Sequence, residues 1–239
     1  MKNLNVLVFD DSPAHRKAAQ VFLAGHNVTV VGTYDEAEQA LSSHVDEKRA
    51  KEIMCETGYK EGFDPWDKAN VSEEARNEYF AKKDAARKEA TVHPNFDVVL
   101  TDLLVPASSR TQGTKGQQFV GKEMPLGSII ALLALTRGVK MVAVVTDSGH
   151  HDHPASAAFD TFNSVAVVGG DVKVLCTNQA ITSADESTGE KVTREFLDSK
   201  EGKMKYPVDK KDYSRKGLIY VKAWDKVLAR LVGEDEGDE

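Results

Sequence analysis

The chain is poor in cysteine and in positive charge, and it contains no long uninterrupted hydrophobic run. Its 239 residues include only 2 cysteines, Cys55 and Cys176, which are too few for a disulfide framework and do not stand at a metal-ligand spacing. Lys and Arg number 31 against 38 Asp and Glu, and this net charge of −7 argues against a non-specific binder of DNA or anionic membranes. The longest apolar stretch, residues 124–145, is interrupted by Arg137 and Lys140, which favours a helix followed by a strand over a membrane span.

The hydrophobic content that is present suffices for a large core. Hydrophobic residues make up 41% of the chain, which excludes the disordered and fibrous classes and allows one large domain or two small ones. Asp10 and Asp11 directly follow the first short apolar run, so the beginning of the sequence has no secretory-signal pattern. We therefore expect a cytoplasmic protein without a DNA or membrane partner.

Short apolar runs separated by helical patterns indicate a parallel sheet. Five runs are predicted to be strands, at residues 4–9, 27–31, 96–101, 139–145 and 172–176. Apolar spacing typical of helices occurs at residues 13–24, 34–41, 126–136, 155–162 and 218–231. This alternation predicts an α/β fold built on a doubly wound, five-stranded parallel sheet.

Polar segments interrupt this alternation and suggest insertions. Residues 45–93 are rich in charge and predict a pair of inserted helices around a turn near residues 58–65. Residues 177–217 are polar, and we assign no regular structure to them beyond a short excursion around residues 192–197. Residues 233–239 form an acidic tail that we expect to be disordered. We interpret residues 1–239 as a single domain enlarged by these insertions.

Polar side chains, most of them carboxylates, follow three of the predicted strands. Asp10 and Asp11 end the first strand, Asp102 ends the third, and Thr146 follows the fourth. One such aspartate alone could equally be a helix cap, but several at adjoining strand ends favour a shared pocket. Because clustered negative charge is costly without a cation, we expect Mg²⁺, and Asp102 is then the natural acceptor of a phosphoryl group.

Five segments, in this order, resemble the receiver domain of bacterial two-component response regulators. They are VLVFDDSP, GHNV, YDEAEQAL, VVLTDLLVP and MVAVVTDS, and together the resemblance spans about half of the chain. It implies a flavodoxin-like sheet in which Asp10 and Asp11 hold Mg²⁺ and Asp102 accepts the phosphoryl group. It also implies that the backbone carbonyl of Leu104 completes the metal site and that the hydroxyl of Thr146 contacts the phosphoryl group.

The resemblance further implies a function and partners. The chain would be an atypical stand-alone signalling protein, phosphorylated on Asp102 by a histidine kinase or a phosphotransfer protein. Phosphorylation would regulate an unknown protein target, so the protein would be a phosphoacceptor rather than a turnover enzyme. We see no DNA-binding output domain after the receiver-like segments.

Two departures from the family pattern affect the expected site. The family places a lysine just after its last strand, where this sequence reads Cys176, Thr177 and Asn178. Substitutes considered from the sequence are Lys115, Lys122 and the lysines of residues 200–216. Asp147 follows Thr146, where the family usually has a small residue, and it adds negative charge. Both departures disfavour a stable phosphoaspartate.

A histidine tract and the inserted helices allow other functions. His150, His151 and His153 are suitable ligands for a transition metal, so a metal-dependent hydrolase or phosphotransferase is an alternative, although the spacing fits no zinc motif. The same tract could equally be a polar loop that begins a helix. A third alternative is a phosphate-independent interaction module that docks through residues 45–93.

Overall fold

The computed structural model describes residues 3–59, 63–67, 71–108, 114–149, 152–161, 164–209 and 213–234. His150, His151 and residues 235–239 of the acidic tail lie outside these ranges, so the predictions made for them are not addressed. The chain forms two compact units, one of Met1–Ala40 with Asn95–Glu239 and one of Leu41–Pro94. None of the helices in the described ranges combines the length and apolar character needed to cross a membrane.

The described elements alternate between strands and helices. The strands are β1 (Asn5–Phe9), β2 (Asn27–Val31), β3 (His44–Val45), β4 (Thr91–Val92), β5 (Val98–Asp102), β6 (Val105–Pro106), β7 (Glu123–Met124), β8 (Met141–Val145), β9 (Ala166–Val168), β10 (Val172–Thr177), β11 (Ile181–Asp185) and β12 (Leu218–Lys222). The α-helices are α1 (Pro13–Phe22), α2 (Tyr34–Ala40), α3 (Glu47–Glu56), α4 (Glu73–Glu89), α5 (Leu126–Thr136), α6 (Pro154–Ala157), α7 (Arg194–Asp198), α8 (Lys200–Lys205) and α9 (Trp224–Val232). Two 3₁₀ turns lie at Gln117–Phe119 and Ala158–Thr161.

A six-stranded sheet forms the centre of the first unit. Its order is β2-β1-β5-β8-β10-β9, with five parallel strands and β9 antiparallel at one edge. The predicted α/β class is confirmed, but the predicted count of five strands is wrong by one. Val167 and Val168 of the edge strand are exposed, so this strand lacks the long buried run by which the other strands could be recognised.

Apolar side chains on both faces explain why the central strands are buried. Alternate residues such as Val8 and Leu100 join a core cluster with α1 and α9. The residues between them, such as Phe9 and Val99, are equally buried. Helix α5 packs on β5 and β8 and also contacts α2. Layers of helices therefore cover the sheet and leave its carboxyl edge to polar residues.

The segment at residues 177–217, to which the sequence assigns only a short excursion around residues 192–197, contains further regular structure. Strand β11 pairs antiparallel with β12, and α7 and α8 lie between them in sequence. Val192, Leu197 and Tyr206 form a small core of their own. The predicted helix at residues 218–231 is also wrong in its first half, because Leu218–Lys222 is a strand and the helix begins only at Trp224.

The second unit contains the two helices expected between residues 45 and 93. Helices α3 and α4 pack through a small core that includes Ile53 and Ala86. Tyr59 contacts Phe63 and Tyr79 in edge-to-face geometry, with ring centroids 5.1 and 5.2 Å apart. Strands β3 and β4 pair antiparallel at the two ends of the unit, so its entry and exit are adjacent.

Candidate functional site

Three aspartates converge at the carboxyl edge of the central sheet. Asp10 and Asp11 follow β1, and Asp102 ends β5, the strand that pairs with β1. One carboxylate oxygen from each lies within 4.8 Å of those of the other two. Asp10 is fully buried and Asp102 nearly so, whereas Asp11 is partly exposed. Parallel pairing thus gathers the residues that the sequence places at separate strand ends.

A lysine that the sequence analysis missed lies among these carboxylates. The Nζ atom of Lys222, at the end of β12, is 2.6 Å from Oδ2 of Asp10 and 2.8 Å from Oδ1 of Asp102. Its side chain is completely buried. Lys222 is outside every segment considered for the missing cation, because residues 218–231 were predicted to be one helix. The available signal was the short continuous run of β-branched, aromatic and aliphatic residues at Leu218–Lys222, directly after Gly217.

Hydrogen bonds from Arg16 and from the Ser12 amide hold Asp10 and Asp11 in position. The guanidinium of Arg16 donates to the backbone carbonyls of Asp10 and Asp11, at 2.8 and 2.6 Å. The amide of Ser12 donates to Oδ1 of Asp10 at 2.9 Å. A side chain at Gly32 would stand 2.9 Å from the Arg16 guanidinium, so the glycine makes room for this contact. Both oxygens of Asp10 are therefore engaged before any ligand binds.

Burial and mutual charge control the ionisation of the site. Burial raises the pKa of Asp102 and the negative charge of Asp10 raises it further, while the Lys222 ammonium opposes both effects. The pKa of Asp11 is raised by burial and by Asp10. Burial alone would lower the pKa of Lys222, but the two carboxylates raise it above its usual value, so the ammonium stays charged.

The donor set fits a hard divalent cation. Asp11 is partly exposed, and three carboxylates face a single ammonium, so the pocket retains negative charge that a cation would neutralise. Mg²⁺ prefers oxygen ligands and keeps several waters, which suits a partly open acidic site. Leu104, whose carbonyl the sequence analysis assigns to the metal, lies buried two residues after Asp102.

Thr146 and Asp147 follow the neighbouring strand. Val145 is the register partner of Asp102 on the adjacent parallel strand, so Thr146 lies one residue beyond the level of Asp102. Thr146 is fully buried, and its hydroxyl oxygen accepts a hydrogen bond from the Ser148 amide at 3.1 Å. A hydroxyl that accepts in this way keeps its own proton for donation, so Thr146 can donate a hydrogen bond to an anion.

Asp147 is paired with a histidine of α1. Nε2 of His15 lies 3.1 Å from Oδ2 of Asp147, and this hydrogen bond is the main cause that lowers the pKa of Asp147 to about 2. Nδ1 of His15 is buried and has no hydrogen-bond partner among the described residues. The contact therefore requires the tautomer that carries its proton on Nε2 and donates it to the carboxylate.

The part of the histidine tract that the structure describes makes local caps. Nδ1 of His153 accepts a hydrogen bond from the Ala155 amide at 3.0 Å and caps α6. Asp152 accepts one from the Gly149 amide at 2.8 Å. In the described ranges, the grouping of potential metal ligands contains Asp10, Asp11 and Asp102, with no histidine. The observed caps match the polar-loop interpretation of His153.

The first turn of α5 packs against the backbone at Asp102 and Leu103. The amide of Gly127 donates to the carbonyl of Leu103 at 3.2 Å. A Cβ atom on Gly127 would lie 1.6 Å from the carbonyl oxygen of Asp102 and 2.9 Å from Oγ1 of Thr101. Only glycine permits this packing, which sets the position of the backbone at Asp102.

Comparisons with protein-family models, with curated proteins and with solved structures find no match to this chain.

Proposed function

We propose that the protein is a receiver-like phosphoacceptor that takes a phosphoryl group on Asp102 with the help of Mg²⁺. The observation that carries this proposal is the position of Lys222, whose buried ammonium joins Asp10 to Asp102. It supplies the cation that the receiver resemblance requires and that the position directly after β10 does not provide. The order of the five parallel strands supports a flavodoxin-like arrangement, in which ligands bind beyond the carboxyl ends of the strands.

The chemistry of the transfer follows from these positions. An oxygen of Asp102 attacks the phosphorus of the donor, and the bond from phosphorus to the leaving group breaks. Lys222 and the hydroxyl of Thr146 stabilise the negative charge on the phosphoryl oxygens. Asp10, Asp11 and Asp102 would hold Mg²⁺, which supplies further charge neutralisation when bound.

The proposal includes partners of two kinds. A histidine kinase or a phosphotransfer protein would donate the phosphoryl group, and an unidentified protein target would respond to it. In this function the chain accepts phosphate rather than turning over a substrate.

Phosphorylation of the purified protein tests this function directly. With acetyl phosphate and Mg²⁺, we expect one phosphate per wild-type chain by intact mass and none on Asp102→Asn, because the amide cannot form the acyl phosphate. Asp171→Asn is the matched control, since this exposed aspartate pairs with Lys140 away from the acidic cluster. Absence of phosphate on the wild type, or equal labelling of Asp102→Asn, would contradict the proposal.

A further inference from the structure

A cavity lies on the face of the β11 and β12 sheet that is turned away from the main core. Val221 of this sheet joins the core cluster of the first unit. Ser183 and Tyr220 are register partners one position along, so their side chains point to the opposite face. On that side the segment with Val192 and Leu197 forms its own small core, and a cavity of about 640 Å³ remains beside it. This volume is typical of sites for small ligands.

The side chains around this cavity carry an excess of positive charge. Its cationic groups are those of Lys191, Arg194, Arg215 and Lys226. Among the described residues that line it, Asp198 is the one carboxylate, and Lys191 also pairs at 3.0 Å with Asp225, which does not line the cavity. With both carboxylates counted, two positive charges remain unbalanced, in a chain whose net charge is −7. The cavity therefore attracts an anion.

Arg215 is held in place by the backbone and has donors left for a ligand. Its Nη1 atom donates to the carbonyls of Leu197 and Tyr206, at 3.1 and 3.5 Å. A guanidinium has three further N–H groups, on Nη2 and Nε, and such groups match the oxygens of a phosphate in a bidentate arrangement. Thr193 adds a hydroxyl that accepts from the Phe196 amide at 3.3 Å and keeps its own proton for donation. These donors favour a phosphate group as the anion.

The ring of Tyr220 provides a flat surface in the same cavity. Tyr220 is 73% exposed and lines the cavity together with the half-buried Ile181. An exposed aromatic ring next to cationic side chains suits a nucleobase, because every base has a π-face that stacks on such a ring. Phosphate donors and a stacking surface in one cavity match the two parts of a nucleotide.

We propose that this cavity binds a nucleoside phosphate, whose phosphate groups contact Arg194 and Arg215 and whose base stacks on Tyr220. Neither Asp102 nor Lys222 lines the cavity, so this site is separate from the acidic cluster. The inference therefore does not depend on the proposed phosphorylation, and it gives the first unit a second ligand of a different class.

Calorimetric titration of the full-length protein with ATP tests the inference. EDTA is present, so that no divalent ion connects the nucleotide to the acidic cluster. We expect one ATP per chain. Adenosine and tripolyphosphate each carry only one of the two recognised parts, so each should bind at least about tenfold more weakly than ATP. ATP suffices as the probe, because stacking on an aromatic ring tolerates any base.

Substitutions in the cavity show whether the two parts bind where the geometry places them. Arg194 is exposed, and Arg194→Gln should weaken ATP binding about tenfold, because a charge-assisted contact to phosphate is lost. Tyr220→Ala should weaken it by a similar factor, whereas Tyr220→Phe keeps the ring and should bind like the wild type. Arg137→Gln is the matched control, since this exposed arginine lies outside the cavity.

Circular dichroism verifies that each variant is folded. The inference is overturned if the wild type does not bind ATP, if tripolyphosphate binds as tightly as ATP, or if Arg194→Gln behaves like Arg137→Gln. Phosphate uptake from acetyl phosphate is measured on the same preparation. Its failure with ATP binding intact would contradict the proposed function alone.

Discussion

Lys222 makes two ion pairs in a completely buried position at the carboxyl edge of the sheet. Removing three charged groups from water has a large desolvation cost, which the short contacts to Asp10 and Asp102 offset. Without the ammonium, two carboxylates would remain buried next to each other. The lysine is therefore a structural requirement as well as the cation of the proposed phosphoacceptor.

Replacement of Lys222 by methionine should destabilise the protein strongly. We expect a loss of about 3 kcal/mol or more in the free energy of unfolding, because removing one partner leaves buried charge uncompensated. Urea denaturation measures the loss. Lys216→Met is the matched control, since Lys216 is largely exposed and its distance to Asp209 is 3.9 Å; its effect should stay within about 0.5 kcal/mol. A similarly small effect at Lys222 would contradict this role.

The bond between His15 and Asp147 predicts a pH-dependent contribution to stability. The pKa of Asp147 falls from 3.8 to about 2 in the folded protein, so its stabilisation is present above pH 4 and is lost as the pH falls toward 2. Because the side chain is half exposed, we expect Asp147→Asn to cost about 1 kcal/mol at pH 6, and roughly half of that difference to remain at pH 3.

Urea denaturation of wild type and Asp147→Asn at both pH values measures this difference. Asp171→Asn is the matched control, since this exposed aspartate pairs with the exposed Lys140. If the loss of unfolding free energy caused by Asp147→Asn grew as the pH fell, the result would contradict a lowered pKa of Asp147 in the folded protein.

Some site residues could be predicted from the sequence and one could not. Asp10, Asp11 and Asp102 each end an apolar run, and parallel pairing brings such strand ends together. Lys222 is joined to Asp10 across 212 residues of sequence, and its strand belongs to a separate two-stranded sheet rather than to the main sheet. No local pattern specifies which lysine will enter a pocket by such a long-range contact.

Among the elements, α5 depends on one glycine in its first turn. Gly127→Ala should destabilise the protein by about 2 kcal/mol, because the added Cβ would overlap the carbonyl of Asp102 and force the helix or the strand end to move. Gly25→Ala is a matched control, since a Cβ there would meet nothing within 4 Å. Thermal denaturation compares the two variants, and equal stability would show that the helix start adjusts without cost.

The elements that were predicted correctly have clear periodicity. Helix α5 and strand β2 have the predicted bounds, and α1 and α2 differ only at their ends. The errors concern the edge strand β9, residues 177–217 and the start of the last helix. In the last two segments, the apolar residues are few or form a short run directly before a helical stripe, so tertiary pairing of β11 with β12 decides the structure.

For the whole molecule, the adjacent ends of the second unit predict that it can be removed. Val45 and Thr91 are register partners, so an Asn-Gly turn can replace residues 46–90 and close a short hairpin. Every residue of the proposed phosphoacceptor site lies in the first unit. We expect the shortened protein to fold and to accept phosphate at Asp102.

Circular dichroism and phosphate uptake measure these two properties. Loss of partner binding with normal uptake would assign docking to the removed helices. Loss of folding would contradict the independence of the first unit.

The contact of Lys222 with Asp10 links the proposed phosphoacceptor site to the last steps of folding. Contacts between residues far apart in sequence form late in folding, because they require closure of a long loop. Until the two-stranded sheet of β11 and β12 docks, the aspartates of the pocket repel one another and lack their ammonium. The proposed phosphoacceptor site is thus complete only when this assembly has finished, and we expect a partly folded chain not to accept phosphate on Asp102.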